Sequence, residues 1–221
     1  MIIDCIGCLH GAYPKLEGGD LLIVTGDLTA RDTLIEHSVV LEWLHRQPYP
    51  KKVLIAGNHD HFLEKNTNFY SKTGINYLCD SGTEVVIDGN RLKIWGSPWS
   101  AQCKGINPKC RAFTIPVSPD MEDRLMDKWD LIPLDTDILI THSPPFGILD
   151  GIPMDDGSLF HVGSPSLRTI VLSKQQFKLH AFSHIHENGG KVLDTCLTKF
   201  VNASIMNERY RPVNKPVRIT L

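Results

Sequence analysis

No run of apolar residues in this 221-residue chain approaches the roughly 18 that a membrane-spanning helix needs. No membrane partner is therefore expected. An excess of one charge is missing as well: 23 Lys and Arg stand against 25 Asp and Glu, a formal net charge of −2 at pH 7. Affinity for a phosphate backbone rests on Lys and Arg gathered on one face, so extensive nucleic-acid binding is not expected and a small substrate is favoured. The amino terminus lacks a Lys or Arg ahead of its short apolar run and lacks a small-residue cleavage site, so it reads as a first core strand and not as a secretory signal. A cytoplasmic location is the matching expectation. The six cysteines then read as reduced thiols, with Cys79 and Cys196 as ordinary buried strand residues. Repeats and low-complexity tracts are absent too, and the length suits one domain over residues 1–221.

What the chain does contain is a succession of apolar runs, each ended by Gly, Asn, His or Ser. They read as strands near 1–7, 21–25, 52–56, 75–79, 83–88, 91–96, 137–141, 178–182, 190–194, 198–202 and 217–220. Apolar residues at helical spacing between Asp32 and Gln47 predict a helix, with Asp32 or Thr33 as cap and Pro48 as stop. Two more are predicted at 119–130, opened by Pro119 and Asp120, and at 164–174 after Gly163. The strands at 75–79, 83–88 and 91–96 follow so closely that an antiparallel meander is expected, with Asp88-Gly89 as a hairpin turn. Segments 97–118 and 143–163 are long, rich in Gly and Pro and aperiodic, as functional loops often are.

Several of these strands end in residues that bind metals. "LLIVTGD" ends in Asp27, "KVLIAGNHD" in Asn58, His59 and Asp60, "DILITHS" in His142, and "LHAFSHIHE" in His184 and His186, while His10 follows the first strand. In an open α/β sheet, ligands gather beyond the carboxyl ends of strands, so these loops should converge on one crevice. Singly, each residue reads as turn chemistry or as a hydrogen-bonded histidine. Together they suit a two-metal site that binds phosphoryl oxygens and activates water. Asp27 is the natural bridge, because a carboxylate can offer one oxygen to each of two ions. Imidazoles and an amide oxygen around it are compatible with two divalent transition metal ions, Mn, Fe or Zn. His184 and His186, two apart, point to one side if the segment is extended, and each can reach one ion.

"GD" at 26–27, "GNHD" at 57–60, "TH" at 141–142 and "HIH" at 184–186 resemble, in order, the signature of the calcineurin-like metallophosphoesterases. Through "WGSPWS", "DKWDLIPLDTDILITHSPPFGILD", "HVGSPSL" and "FVNASIMNERYRPVNKP" the chain resembles the small metallophosphoesterase-domain branch related to class III cyclic-nucleotide phosphodiesterases. The resemblance implies an α/β fold, a four-layer α/β/β/α sandwich of mixed sheets with a dinuclear metal site at the strand C-terminal ends. It places His10, Asp27 and His186 on the first ion, and Asp27, Asn58, His142 and His184 on the second. His59 would face the phosphate as a catalytic group and Asp60 would orient it; Asn58 and His59 would both contact substrate. The implied activity is metal-dependent hydrolysis of phosphodiesters of small nucleotides, cyclic ones included, by a metal-bound hydroxide. A phosphomonoesterase or nuclease of the same fold is the alternative within the enzymes, and a weakly active nucleotide-binding regulatory protein is the alternative outside them.

The regulatory alternative arises from a departure. The family opens with D-x-H, and here Cys8 stands two residues before His10. Asp4 cannot substitute, being about 13 Å away along an extended backbone. Cys8 either binds the first ion as thiolate, favouring softer metals, or is a bystander beside a weak first site, or marks a degenerate site. Cys5, three residues earlier, should face the core. A second departure is Ser183, where the family usually has Gly, and only a modest adjustment is expected. Trp99, Phe113 and Phe146 on the long loops are candidates to stack on a base, and His161 to reach a phosphate. His37, His45 and His180 read as helix-surface or strand residues without assigned chemistry.

Overall fold

The computed structural model describes residues 1–102, 110–173 and 177–221. In chain order the elements are β1 (Ile2–Ile6), β2 (Leu21–Val24), α1 (Leu34–Arg46), β3 (Lys51–Ile55), α2 (His61–Lys65), β4 (Asn76–Leu78), β5 (Ser81–Ile87), β6 (Asn90–Ser97) and the short β7 (Ser100–Ala101). There follow β8 (Thr114–Ile115), α3 (Met121–Trp129), β9 (Ile138–Thr141), β10 (Gly151–Pro153), β11 (Leu159–His161), α4 (Pro165–Ser173), β12 (Leu179–Phe182), β13 (Val192–Asp194), β14 (Lys199–Asn202) and β15 (Val217–Thr220). Residue 174 of the third expected helix, and 103–109 of the long loop expected over 97–118, lie outside the described residues.

One sheet runs β15-β1-β2-β3-β4, parallel from β1 to β4 with β15 antiparallel at the edge. The other runs β13-β14-β12-β9-β6-β5, parallel across its middle and antiparallel at both edges. Alternation of side chains along each strand gives every sheet two apolar faces. Ile3, Cys5, Leu21, Ile23, Val53 and Ile55 of the first sheet meet Ile94, Ile138, Ile140, Leu179, Ala181 and Val201 of the second. On the outer face of the first sheet, Ile6, Leu22, Val24 and Leu54 pack on Val40, Trp43 and Leu44 of α1. On the outer face of the second, Leu139, Phe182 and Phe200 pack on Leu125 and Trp129 of α3 and Leu167 and Ile170 of α4. The result is the expected four-layer α/β/β/α sandwich.

Thr33, not Asp32, caps α1: its side chain accepts from the Glu36 N–H while Glu36 reaches back to Thr33. The meander expected across 75–96 is only half present. β5 and β6 form a hairpin over Asp88 and Gly89, both with left-handed backbone, but β4 pairs parallel to β3 in the other sheet. Leu78 faces the shared core from the first sheet, and the chain crosses between sheets at Cys79 and Asp80. Cys79 is consequently half-buried, and Cys196 is exposed in the turn after β13, so neither is the buried strand residue expected.

Candidate metal centre

The parallel strands β1, β2, β3, β9 and β12 deliver their carboxyl ends to one seam between the sheets. The seam is sewn by the Gly7 N–H on the Ala203 carbonyl (2.8 Å) and by Ser183 Oγ donating to the Thr25 carbonyl (3.0 Å). Cys8, His10, Asp27 and His184 leave their strands with left-handed backbone, at φ 47°, 42°, 54° and 67°. Each such turn costs a non-glycine residue about 1–2 kcal/mol, so strain is concentrated where the polar side chains gather. Gly57 lets them come close: a Cβ there would lie 2.3 Å from Asp27 Oδ1 and 2.5 Å from His142 Cε1.

Donor atoms of Cys8, His10 and His186 lie within 4.8 Å of one another, as do those of His10, Asp27 and His59, and those of Asp27, His142 and His184. Asp27 is thus shared between two groups, with Oδ2 3.6 Å from His10 Nε2 and 3.4 Å from His142 Nε2. The hydrogen bonds around these rings leave lone pairs aimed at the seam. His142 Nδ1 faces the Thr25 carbonyl at 2.8 Å and must carry the proton, so in the neutral ring Nε2 is an acceptor, 2.9 Å from a second acceptor, Asn58 Oδ1. His186 Nδ1 likewise faces the Asn207 carbonyl at 3.1 Å, which frees its Nε2. His10 Nε2 is buried and has no hydrogen-bond partner. Opposed acceptors and an orphaned nitrogen are what a cation relieves, and the donor set fits divalent metal ions.

Electrostatics agree with that arrangement. Burial opposes the charge on Asp27, yet His142, His59 and His10 hold its carboxyl well below the usual range. Burial pushes His10 and His184 down to about 3, so both are neutral and able to ligate. Burial also works against a charged His142, but the Asp27 carboxylate and the Thr25 carbonyl outweigh it and raise the ring, so a proton on Nε2 is the alternative to a cation for answering Asn58 Oδ1. Cys8 is fully buried, accepts the His184 N–H at 3.2 Å, and is pushed up to about 12 by burial and by Asp27.

The profile of the family described as "Calcineurin-like phosphoesterase" matches residues 1–188, and every donor named above falls within that span. The chain belongs to this family. It is 37% identical over 244 residues to human "Metallophosphoesterase domain-containing protein 1", covering 98% of this chain and 70% of that protein. A UPF0046 protein of Caenorhabditis elegans is 32% identical over 243 residues, covering 96% of this chain and 58% of its own. Among solved structures, the phosphopantetheinyl hydrolase PptH of Mycobacterium tuberculosis superposes with a TM-score of 0.64 at 15% identity, covering 98% of this chain and 95% of that one.

Within this calcineurin-like fold, His184 and His186 do serve different groups, but not from an extended segment. His184 is left-handed and His186 opens a 3₁₀ turn, His186–Asn188. Ser183 is not left-handed, so the Gly usual there is not required, and the hydroxyl contributes a seam hydrogen bond. Asp60 does not orient His59. Its two carboxylate oxygens accept from the backbone N–H groups of Asp27 (2.9 Å), Leu28 (3.0 Å) and Gly57 (2.7 Å), which clamps the Asp27 turn to the Asn58 turn. Burial and Asp27 raise that carboxyl to about 7. The partner of His59 Nδ1 is Cys110 Sγ at 3.3 Å. Asp4, as expected, is elsewhere, paired with Arg218 and Tyr49.

Trp99 and Phe113 form scaffold contacts: the indole N–H of Trp99 donates to Asp80, Lys128 Nζ stands 4.1 Å over its ring, and Phe113 packs 6.0 Å away. Phe146, on the loop after β9, and His161, at the end of β11, pair at 5.4 Å, with His161 Nδ1 2.6 Å from buried Asp150. His37 is fully buried and bonded to Asp32 and Tyr70, not on a helix surface. Two residues to which the sequence motifs assign no role border the cluster: Cys110, and Tyr210, whose ring lies 4.9 Å from those of both His10 and His186. "NERY" carries no spacing that marks the tyrosine; only the fold of residues 205–214 back over the seam does.

Proposed function

We propose that the protein is a metal-dependent phosphoesterase that hydrolyses phosphodiesters of small nucleotides. The convergence of Asp27, five imidazoles, Asn58 and Cys8 on one seam, with His10 Nε2 buried and without a hydrogen-bond partner, carries this reading. Cys8, His10, Asp27 and His186 would hold one divalent ion, and Asp27, Asn58, His142 and His184 the other. Such ions, when bound, supply Lewis-acid polarisation of the phosphoryl oxygens and acidify a water. The residues of the chain do the rest. Asp27 would serve both ions, and its Oδ1 accepts the His59 N–H at 2.9 Å, which fixes the His59 backbone relative to the donors. With Nδ1 on Cys110, His59 presents Nε2 to the phosphoryl group, where it steadies developing charge or protonates the departing alkoxide. Asp60 holds the two turns in register. Preference for a diester over a monoester rests on the branch resemblance, and the net charge of −2 favours a small ligand over a polynucleotide.

Metal analysis of protein purified without chelator, joined to turnover of an aryl phosphodiester and a panel of 2′,3′- and 3′,5′-cyclic nucleotides with Mn, Zn, Fe and Mg, tests the reading. Bound transition metal and diester hydrolysis are expected. Absence of both in added Mn would sink the enzyme and leave a nucleotide-binding regulatory protein.

A further inference from the structure

Two rings stand at the mouth of the donor cluster, the half-buried His59 and the exposed Tyr210, with centroids 6.4 Å apart. Cys8 and Asp27, by contrast, are buried at 0% and 1% exposure, while these two rings keep contact with solvent. Tyr210 is 49% exposed, yet its ring is braced edge-on against His10 at 67° and His186 at 78°. Its backbone is held as firmly. Asn207 Oδ1 accepts the N–H groups of Arg209 and Arg211, both at 3.0 Å, and the Asn207 carbonyl accepts the Tyr210 N–H at 2.9 Å. That same carbonyl faces His186 Nδ1, so one turn orients a donor histidine and sets the tyrosine beside it. The turn puts Tyr210 at φ 55°, a left-handed conformation that a bulky residue keeps only where its surroundings over-determine it.

An aromatic ring flanked by two imidazoles and 49% exposed, beside a polar cluster proposed to take the phosphoryl group, is a platform for a flat organic substituent. Such rings bind planar groups by stacking with little loss of side-chain freedom. We propose that Tyr210 is a substrate-contacting, specificity-determining residue, on whose ring the planar ester group retained on phosphorus lies while the phosphoryl group occupies the donor cluster. This rests on the phosphoesterase reading above, and it narrows the substrate class to phosphoesters whose retained group carries a flat ring close to phosphorus.

Two diesters that share a p-nitrophenolate leaving group and differ in the retained substituent isolate the effect: bis(p-nitrophenyl) phosphate and methyl p-nitrophenyl phosphate. Tyr210→Leu and Tyr210→Ala are expected to raise KM for the bis-aryl ester by about tenfold and to leave KM for the methyl ester and both kcat values within about twofold. Tyr210→Phe should keep the wild-type preference, and metal content should stay at the wild-type value in all three. An equal rise for both esters, an unchanged KM in Tyr210→Ala, or loss of metal in the Leu and Ala variants would overturn the assignment. If the wild type turns over neither diester, the phosphoesterase reading fails separately. Fluorescence titration with N-methylanthraniloyl-AMP then decides the platform alone: about tenfold weaker binding in Tyr210→Ala sustains it, and equal binding, or none by the wild type, overturns it.

Discussion

Two clusters of histidine and carboxylate lie close together in this fold and behave differently. Asp32, His37 and Asp60 bring donor atoms within 4.8 Å of one another, as the seam residues do. In that cluster every side-chain polar atom is answered from within the protein. His37 bonds Asp32 at 2.9 Å and the Tyr70 hydroxyl at 2.8 Å, Asp32 also accepts the Phe62 N–H at 2.8 Å, and Asp60 accepts three backbone N–H groups. At the seam His142 and His186 spend Nδ1 on backbone carbonyls at the far sides of their rings, while His142 Nε2 meets Asn58 Oδ1 and His10 Nε2 has no hydrogen-bond partner. The same residue types therefore tie one loop together and leave the other cluster open to a cation. His180 supplies the control. Its Nδ1 is buried and without a hydrogen-bond partner too, but it lies among Phe177, Phe182 and Phe200, and among the described residues it joins no group of metal-binding donors. An orphaned nitrogen marks a metal site only where others point to the same place.

The sharpest break of this contrast is at the shared carboxylate. Asp27→Asn is expected to cut turnover by about 10³-fold and to lower metal content, because the amide carries no charge to offset two cations; retained stoichiometry and rate would remove Asp27 from the bridge. Next in size is the thiol. Cys8→Ser should lower occupancy of one ion, and Cys8→Asp should restore it with a preference shifted toward Mn or Mg over Zn, as metal analysis would read. Identical stoichiometry and metal choice in both variants would make Cys8 a bystander.

In the satisfied cluster the effect should be on stability. His37→Leu removes two buried hydrogen-bond partners and is expected to cost about 2–3 kcal/mol in urea unfolding while leaving metal content unchanged; metal loss in the folded variant would erase the distinction drawn between the clusters. The smallest effect at neutral pH concerns His180, which burial lowers to about 3. Below about pH 6.5 the unfolded chain takes up a proton that the folded one refuses, so stability falls as pH drops from about 6.5 toward 3, by on the order of 1 kcal/mol per pH unit. His10 and His184 share that slope, so His180→Gln should reduce it by about one proton's contribution, and an unchanged slope would show that His180 titrates with the native state.

Much of the site is legible in the amino-acid sequence. Asp27, Asn58, His142, His184 and His186 close apolar runs, and a run that ends in a ligand type reports both the strand and its useful end. The four layers follow from the same runs through the family resemblance. The role of Asp60 is not legible, because adjacency to His59 in "GNHD" is not contact: the α2 turn directs its carboxylate back onto backbone. The place of β4 is hidden for another reason. Short connections favour hairpins, whereas Leu78 gains more by facing the inter-sheet core from the first sheet.

By itself, then, the sequence determined which residue types end which strands, hence the family, the donor inventory and the exchange of Cys8 for the usual carboxylate. Those are properties of local pattern. Only the tertiary structure decided that His142 Nε2 meets Asn58 Oδ1, that Asp60 clamps the Asp27 backbone, that Cys110 attends His59 and that Tyr210 overhangs His10 and His186. Each of those pairs joins residues separated by 24 or more positions. Such pairs meet because two sheets must bury their apolar faces against each other, and that packing, not any spacing along the chain, sets which side chains meet at the seam.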